Sequence, residues 1–428
     1  MNPFVFAALV SLSLATPPEQ AVGHLPDILF LLADDIGDEA LPLAPTPNLD
    51  SLASVSARFP AFYCQTLCSP TRVNFLTGRQ PLPAYGIGKI VDATSVGPDP
   101  TKNPPLPKSA FTVAEMLKCQ GYRTAQFGKW HVDNAHGGVD RESPRTQGFD
   151  EVLAGSIYGV FSGYGGDGLT TWTRTTNGKN APESAYNTTV IADEFVSWWS
   201  TTASPRFAWV GFNAAHAPFH APPPALIPPG LPTGTDHEKH LAMIAALDTE
   251  LGRMLAAVDL STTVVVFAGD NGTPTAAVGP STSSSEVKGS LYDGGISPPF
   301  FVAGWWVRPG TAPALIEATD LFATLAELVD WRGFVPEESL SFAPSLLDPS
   351  GERGLRTHAV SARRSPNGFG GPFTLYQRMA RSRTHKLIVD GLGANPTKTL
   401  LLAPGDTPIA LDPAIVAELE AVLAARGL

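Results

Sequence analysis

The chain contains several short runs of apolar and β-branched residues, each followed by polar residues or glycine. They lie at 27–33, 207–212 and 262–268. Apolar runs of this length without alternation are typical of strands that are buried on both faces, as in a parallel sheet. Segments 122–127 and 299–303 predict two further strands. The chain therefore has the strands of one large buried sheet.

Between these strands the apolar residues recur with helical spacing. The predicted helices cover 112–120, 190–199, 236–258 and 318–330. Thr112 and Glu115 have the spacing of a capping box, and Thr46 with Pro47 predicts the N-cap and first residue of another short helix. Strands that alternate with helices predict an α/β fold with a doubly wound, mostly parallel sheet.

The pattern changes after about residue 344. Shorter segments follow at 374–380 and 385–390, and a last helix is predicted at 412–425. We expect a small C-terminal α+β subdomain with an antiparallel sheet at 345–428, after a larger α/β domain at 21–344. No repeat of fixed period is visible.

The first residues form a separate apolar run. It covers residues 3–15 and is too short to span a bilayer, so it favours a signal peptide within residues 1–20 and export to the periplasm or the medium. The basic residues that usually precede such a run are missing, because no lysine or arginine occurs before Arg58. A cytoplasmic protein with a disordered or core-packed N-terminus is the alternative. No membrane span is expected.

The amino-acid composition limits the classes of function that this chain can have. Hydrophobic residues make up 43% of the chain and charged residues 16%, which is typical of a folded globular protein. The net charge is −11, so a broad basic surface for nucleic acid is not expected. A few local cations must therefore hold any anionic substrate.

Acidic and amide side chains follow two of the predicted strands. Asp34 and Asp35 follow the first, and Asp270 and Asn271 follow the strand at 262–268. The carboxyl ends of parallel strands share one edge, where ligands bind in open α/β sheets. These side chains offer only oxygen, which suits Ca²⁺ or Mg²⁺ better than zinc. By itself, the acidic pair could also be a solvated turn.

A cysteine lies just ahead of a proline that is well placed for the first turn of a predicted helix. In the run 68–72, Cys-Ser-Pro-Thr-Arg, the proline suits the first turn, and Gly78 is a plausible stop. The positive end of a helix favours an anion, either a thiolate or a bound oxyanion. A buried structural Cys68 explains the spacing equally well. Cys64 and Cys119 could form a disulfide or remain thiols.

Basic and imidazole side chains also follow predicted strands. Lys129 and His131 come after the strand at 122–127, and His216 comes after the strand at 207–212. Lys288 is the only lysine in the flexible segment 279–295. Each of these residues could equally be an ordinary surface side chain, and only their convergence at one sheet edge favours a functional role.

The region between residues 134 and 187 is rich in glycine, threonine and aromatic residues. Long irregular segments in compact domains are more often functional than mere spacers. We expect this region to form the wall that selects the substrate.

Three segments resemble sequence motifs of a known family. Cys-x-Pro-x-Arg at 68–72, followed by Thr77-Gly78, resembles the first signature of the type I sulfatases, the formylglycine-dependent sulfatases of the alkaline phosphatase superfamily. The segment 121–131 resembles their second signature, and the segment around His216 resembles a third. The specific motifs cover roughly residues 26 to 305. Thr71 stands where serine is commoner, and this removes no catalytic group.

The resemblance implies a sulfatase that hydrolyses aryl or carbohydrate sulfate monoesters to an alcohol and inorganic sulfate. Cys68 would be oxidised to Cα-formylglycine by a formylglycine-generating enzyme. One hydroxyl of the hydrated aldehyde would attack sulfur, and loss of a proton from the other would expel sulfate by C–O cleavage. Ca²⁺, ahead of Mg²⁺, would be bound by Asp34, Asp35, Asp270, Asn271 and position 68.

The resemblance also implies roles for the remaining residues. Arg72 would hold the diol and the metal environment, and Lys129 and Lys288 would neutralise sulfate charge. His131 would be the base for sulfate release, and His216, with or without Lys288, would protonate the leaving oxygen. Two alternatives stay open: a phosphomonoester or phosphonate hydrolase of the same superfamily, and a non-catalytic oxyanion-binding protein with unmodified Cys68.

Overall fold

The computed structural model describes residues 25–81, 105–132, 140–157, 159–160, 169–280, 282–283, 286–351, 356–365, 373–392 and 395–428. The predicted signal peptide and part of the segment 134–187 lie outside these residues. Among the helices that are described, none is both long and apolar enough to cross a membrane.

Seventeen strands occur in the described part of the chain. They are β1 (Asp27–Ala33), β2 (Ser56–Arg58), β3 (Phe62–Tyr63), β4 (Arg123–Lys129), β5 (Glu151–Ser156), β6 (Trp172–Thr176), β7 (Lys179–Glu183), β8 (Arg206–Gly211), β9 (Thr263–Gly269), β10 (Phe300–Ala303), β11 (Gly310–Thr311), β12 (Ile316–Glu317), β13 (Ala359–Ser365), β14 (Leu375–Arg381), β15 (His385–Asp390), β16 (Thr397–Leu402) and β17 (Thr407–Ile409).

The α-helices of the described residues are α1 (Pro47–Ser54), α2 (Cys68–Thr77), α3 (Val113–Cys119), α4 (Ser143–Thr146), α5 (Asn187–Thr201), α6 (Asp236–Leu255), α7 (Asp293–Ile296), α8 (Asp320–Leu328), α9 (Ala343–Leu347) and α10 (Pro413–Ala425).

The main sheet has the strand order β11-β2-β10-β9-β1-β8-β4-β5-β6-β7. Its five central strands, from β9 to β5, are parallel, and β10 is antiparallel to β9. Alternate residues of β1 face opposite sides, with Phe30 in one buried cluster and Leu31 in the other. Helices α2, α3 and α8 cover the first side, and α1, α5 and α6 cover the second. This confirms the predicted doubly wound, mostly parallel α/β architecture.

A second sheet lies in the C-terminal part of the chain. Strands β13 to β17 are antiparallel and follow one another in order. Helix α10 packs on one face of this sheet, and the other face packs against Tyr63 and Leu291 of the main domain. The antiparallel sheet is as expected, while the domain boundary near residue 344 stays a prediction.

The structure corrects two local expectations. Thr46 occupies the N-cap position of α1, but its hydroxyl bonds to Asp50, and Asp248 of α6 accepts from the Asn48 and Leu49 amides instead. The segment 134–187 is more regular than expected, since β5 to β7 extend the main sheet there. Of these strands, β6 and β7 are largely polar and lie at the end of the sheet, so they lack the buried apolar pattern by which sequence reveals strands.

Candidate active site

The parallel strands deliver the predicted polar residues to one edge of the main sheet. Asp34 and Asp35 follow β1, Lys129 ends β4, and Asp270 and Asn271 follow β9. Strand β1 lies between β8 and β9, so the residues after these strands meet. The Asp270 amide donates to the Ala33 carbonyl at 3.0 Å, and the Asp35 amide donates to Asp270 Oδ1 at 3.2 Å.

Two lysines reach the acidic pair from different parts of the chain. Lys129 Nζ donates to Asp34 Oδ2, and both side chains are fully buried. Lys288 Nζ donates to Asp35 Oδ1 from a segment with no regular structure. Although burial favours the neutral acids, Lys129 holds the pKa of Asp34 below its usual value, and Lys288 does the same for Asp35. Both carboxylates are therefore ionised at neutral pH.

Arg72 pairs with the third acid. Its Nε and Nη2 atoms donate to Asp270 Oδ2 at 3.1 and 2.8 Å, and its Nη1 donates to the Lys129 carbonyl at 2.9 Å. A Cβ atom at position 211 would lie 2.9 Å from Nη1, so Gly211 leaves the guanidinium its space. Arg72 thus holds two strand ends together, and its contact with the diol stays a prediction.

Cys68 is the first residue of α2, which ends at Gly78 in the left-handed conformation. Its Sγ lies 3.2 Å from His131 Nδ1, and its side chain is buried. Burial raises the pKa of the Cys68 thiol to about 11, in spite of Lys129 and Lys288. Of the two anions that the helix end could favour, the thiolate is therefore disfavoured at the unmodified cysteine, because burial outweighs the positive surroundings. Cys64 is buried, Cys119 is exposed, and both are free thiols.

The two predicted histidines contact different groups of the site, His131 the Cys68 Sγ atom and His216 the Asp35 carboxylate. Burial, with Lys129, lowers the pKa of His131 well below its ordinary value, so its imidazole is neutral. His216 donates from Nδ1 to the Ala217 carbonyl at 2.8 Å, which leaves Nε2, at 3.7 Å from Asp35 Oδ2, to gain or lose a proton. Burial also lowers the pKa of His216.

The site contains buried oxygen atoms that suit a cation. Asp34 Oδ1 and Asn271 Oδ1 are buried and have no hydrogen-bond partner among the described residues. The ligand atoms of Asp34, Cys68 and Asp270 lie within 4.8 Å of one another. Leaving buried carboxylate and amide oxygens without a partner is costly, and a hard cation relieves that cost. The residues present therefore fit Ca²⁺ or Mg²⁺.

Sequence reasoning missed three buried polar residues near this edge. Ser156 ends β5 opposite Lys129, and Asn213 Nδ2 donates to its hydroxyl at 2.7 Å. His240 of α6 lies 2.9 Å from the Asp35 carbonyl oxygen. A serine at a strand end could have been noted as a polar strand terminus. The sequence gives no such signal for His240, which lies in a helix far along the chain.

Comparison with known proteins places the chain among sulfatases. The sequence model of the Sulfatase family matches residues 26–331. The arylsulfatase of Klebsiella aerogenes is 30% identical over 237 residues, which are 52% of this chain and 50% of that protein. The chain therefore spans about half the length of this curated relative.

Solved structures share the fold. A Bacteroides thetaiotaomicron protein, described with the metabolism of multiple glycosaminoglycans, superposes with a TM-score of 0.73 at 19% identity over 94% of this chain and 97% of that one. A phosphonate monoester hydrolase from Silicibacter pomeroyi superposes with a TM-score of 0.65 at 17% identity over 94% of each chain. At these identities the likeness shows the fold alone.

Proposed function

The chain belongs to the sulfatase family, and from that premise we propose that it hydrolyses sulfate monoesters of aryl alcohols or carbohydrates to the alcohol and inorganic sulfate. The nucleophile would be formylglycine formed from Cys68 by a formylglycine-generating enzyme, and the metal would be Ca²⁺ ahead of Mg²⁺. When position 68 carries hydrated formylglycine, one hydroxyl supplies the nucleophile and the other allows sulfate to leave.

One observation carries this proposal. The Sγ atom of Cys68 lies within hydrogen-bond distance of the neutral imidazole of His131. The same atom lies within 4.8 Å of a carboxylate oxygen of Asp34 and one of Asp270. A nucleophile, a base and a cation site at one point are what transfer of an anionic group requires.

The oxygen donors on this edge would hold the cation. Asp34, Asp35, Asp270 and Asn271 would be its protein ligands, together with position 68. A bound divalent cation would supply Lewis-acid stabilisation of anionic oxygens. Three carboxyl groups, of Asp34, Asp35 and Asp270, face the basic side chains of Lys129, Lys288 and Arg72. Their charges nearly balance, so a divalent cation would make the site attractive to a sulfate ester.

The remaining side chains bind and move protons. Lys129 and Lys288 would lie against the sulfate oxygens and neutralise their charge. His131 would accept a proton at Nδ1, the atom that faces position 68. His216 would hold a proton at Nε2 for the leaving oxygen, since its Nδ1 is committed to the Ala217 carbonyl. The neutral imidazole of His131 is in the form that accepts a proton. For its task His216 would be the imidazolium, a form that burial disfavours and the neighbouring Asp35 carboxylate favours.

Two measurements test the proposal on protein made with and without a formylglycine-generating enzyme. The peptide that contains position 68 is weighed by mass spectrometry, since an aldehyde is lighter than the cysteine. Turnover is measured for an aryl sulfate, sulfated sugars, and the matching phosphate and phosphonate esters. We expect sulfatase turnover to follow the aldehyde content, to vanish in Cys68→Ala and to survive in Cys119→Ser.

Three results would contradict this expectation. Full sulfatase activity with only cysteine at position 68 would show that the aldehyde is not the nucleophile. Higher kcat/KM on phosphonate or phosphate esters than on any sulfate would favour the alternative hydrolase. An unmodified Cys68 under all conditions, with oxyanion binding but no turnover, would favour a binding protein.

A further inference from the structure

His240 lies outside the predicted site residues but in direct contact with the main chain of one of them. It belongs to the second turn of α6, and its side chain is 0% exposed. Its Nε2 atom lies 2.9 Å from the carbonyl oxygen of Asp35. A carbonyl oxygen can only accept, so Nε2 carries the proton and donates it.

The main chain of Asp35 is held at both of its polar groups. Its amide donates to Asp270 Oδ1 at 3.2 Å, and its carbonyl accepts from His240. Asp35 has a φ of 60°, in the left-handed region that side-chain-bearing residues seldom adopt. Two side chains from distant parts of the chain therefore fix the peptide planes on either side of an unusual backbone conformation.

That conformation decides where the Asp35 carboxylate points. Its Oδ1 accepts from Asn271 Nδ2 at 2.7 Å and from Lys288 Nζ. If the Asp35 carbonyl lost its donor, the residue would be less constrained to the left-handed region, and the carboxylate would no longer be held toward its partners. His240 thus acts on the carboxylate through the backbone.

The imidazole ring is itself held in place by the segment that carries His216. Phe219 packs edge-on against His240, with ring centroids 5.8 Å apart at an interplanar angle of 86°. His240 therefore lies between the end of β1 and the segment that follows β8. It donates a hydrogen bond to Asp35 at the end of β1 and packs on Phe219 of the other segment.

We propose that His240 is a positioning residue for the cation site, which holds the Asp35 backbone so that its carboxylate can serve as a ligand. This inference rests on the proposed function, because it requires a cation at Asp35. Groups that orient a metal ligand typically change metal affinity by about 10-fold to about 100-fold when they are removed.

The experiment compares two amide replacements that differ in reach. In His240→Gln the amide nitrogen can occupy the place of Nε2 and donate to the Asp35 carbonyl, while in His240→Asn it is too short to do so. His237, one turn earlier in α6, also contacts a carbonyl, that of Ala277, at 2.7 Å. His237→Asn is therefore the matched control on the same helix.

Calcium affinity of the full chain is measured by titration calorimetry, and thermal unfolding is followed with and without calcium. We expect His240→Asn to weaken calcium binding by at least about 10-fold, with His240→Gln and His237→Asn close to the wild type. The rise in Tm on adding calcium should shrink in His240→Asn alone.

Two outcomes overturn the inference in different ways. If His240→Asn lowers Tm equally with and without calcium and leaves the affinity unchanged, His240 is only a packing residue and the proposed function stands. If the wild type binds neither Ca²⁺ nor Mg²⁺, the proposed cation site fails, and the role of His240 fails with it. Should His240→Asn not fold, His240→Phe, which keeps a ring against Phe219 but cannot donate to the Asp35 carbonyl, takes its place. Weakened calcium binding with an unchanged calcium-free Tm in that variant would support the inference, and unchanged affinity would contradict it.

Discussion

The Sγ atom of Cys68 lies 3.2 Å from Nδ1 of His131. Burial raises the pKa of the thiol to about 11 and lowers the pKa of the imidazole well below its ordinary value. Before modification the two residues therefore form a neutral thiol and imidazole pair, and not the thiolate and imidazolium pair of reactive cysteines.

The unmodified Cys68 should react slowly with iodoacetamide at neutral pH. Between about pH 7 and about pH 9 the pH is well below the thiol pKa of about 11, so the thiolate fraction should rise about tenfold per pH unit. Alkylation is followed by peptide mass spectrometry on calcium-free protein, with the exposed Cys119 as a monitor of the reagent. Rapid, pH-independent alkylation of Cys68 at pH 7 would show a stabilised thiolate instead.

Removing one acidic ligand should abolish cation binding. Asp35→Asn leaves Lys288 without its ion pair and removes one charge from the site, so bound calcium should be lost and activity should fall by at least about 100-fold. Asp38→Asn, at an exposed position three residues on, should change neither. Metal content is measured by plasma mass spectrometry. Active protein with stoichiometric zinc and neither calcium nor magnesium would contradict the cation assignment.

His131 should be needed after the alcohol has left. With His131→Ala, the first alcohol should still depart, but sulfate release should stall for want of a base. A rapid-mixing assay on an aryl sulfate should therefore show a burst of about one alcohol per modified active site, followed by slow turnover. The burst is scaled to the formylglycine content measured on the same sample. A steady, uniformly slow reaction without a burst would remove this role from His131.

His216 should matter most when the leaving alcohol is a poor leaving group. His216→Ala should lower turnover of a sugar sulfate by about 100-fold or more, yet have a mild effect on an activated aryl sulfate, whose oxygen departs without a proton. The ratio of the two rates on one preparation is independent of modification yield. His220→Ala, four residues on, is the control, and an equal loss on both substrates in His216→Ala would leave His216 as a binding group.

The sequence alone was enough to place most of the site on one sheet edge. Buried strands have an apolar pattern that sequence reveals, and Asp34, Lys129 and Asp270 all come at the ends of such strands. Parallel strands end at a common edge, so the meeting of these residues followed from the fold class. The helix that begins at Cys68 and ends at Gly78 was also visible, because proline and glycine have local conformational preferences.

Only the tertiary structure decided which charges pair and how they are tuned. Lys288 reaches Asp35 across 253 positions of sequence from a segment with no regular structure, and Arg72 reaches Asp270 across 198. The high pKa of Cys68 and the contact of His240 with the Asp35 carbonyl depend on burial and packing between distant segments. Sequence patterns record local preferences and burial periodicity, whereas desolvation and long-range contacts exist only once the chain has folded.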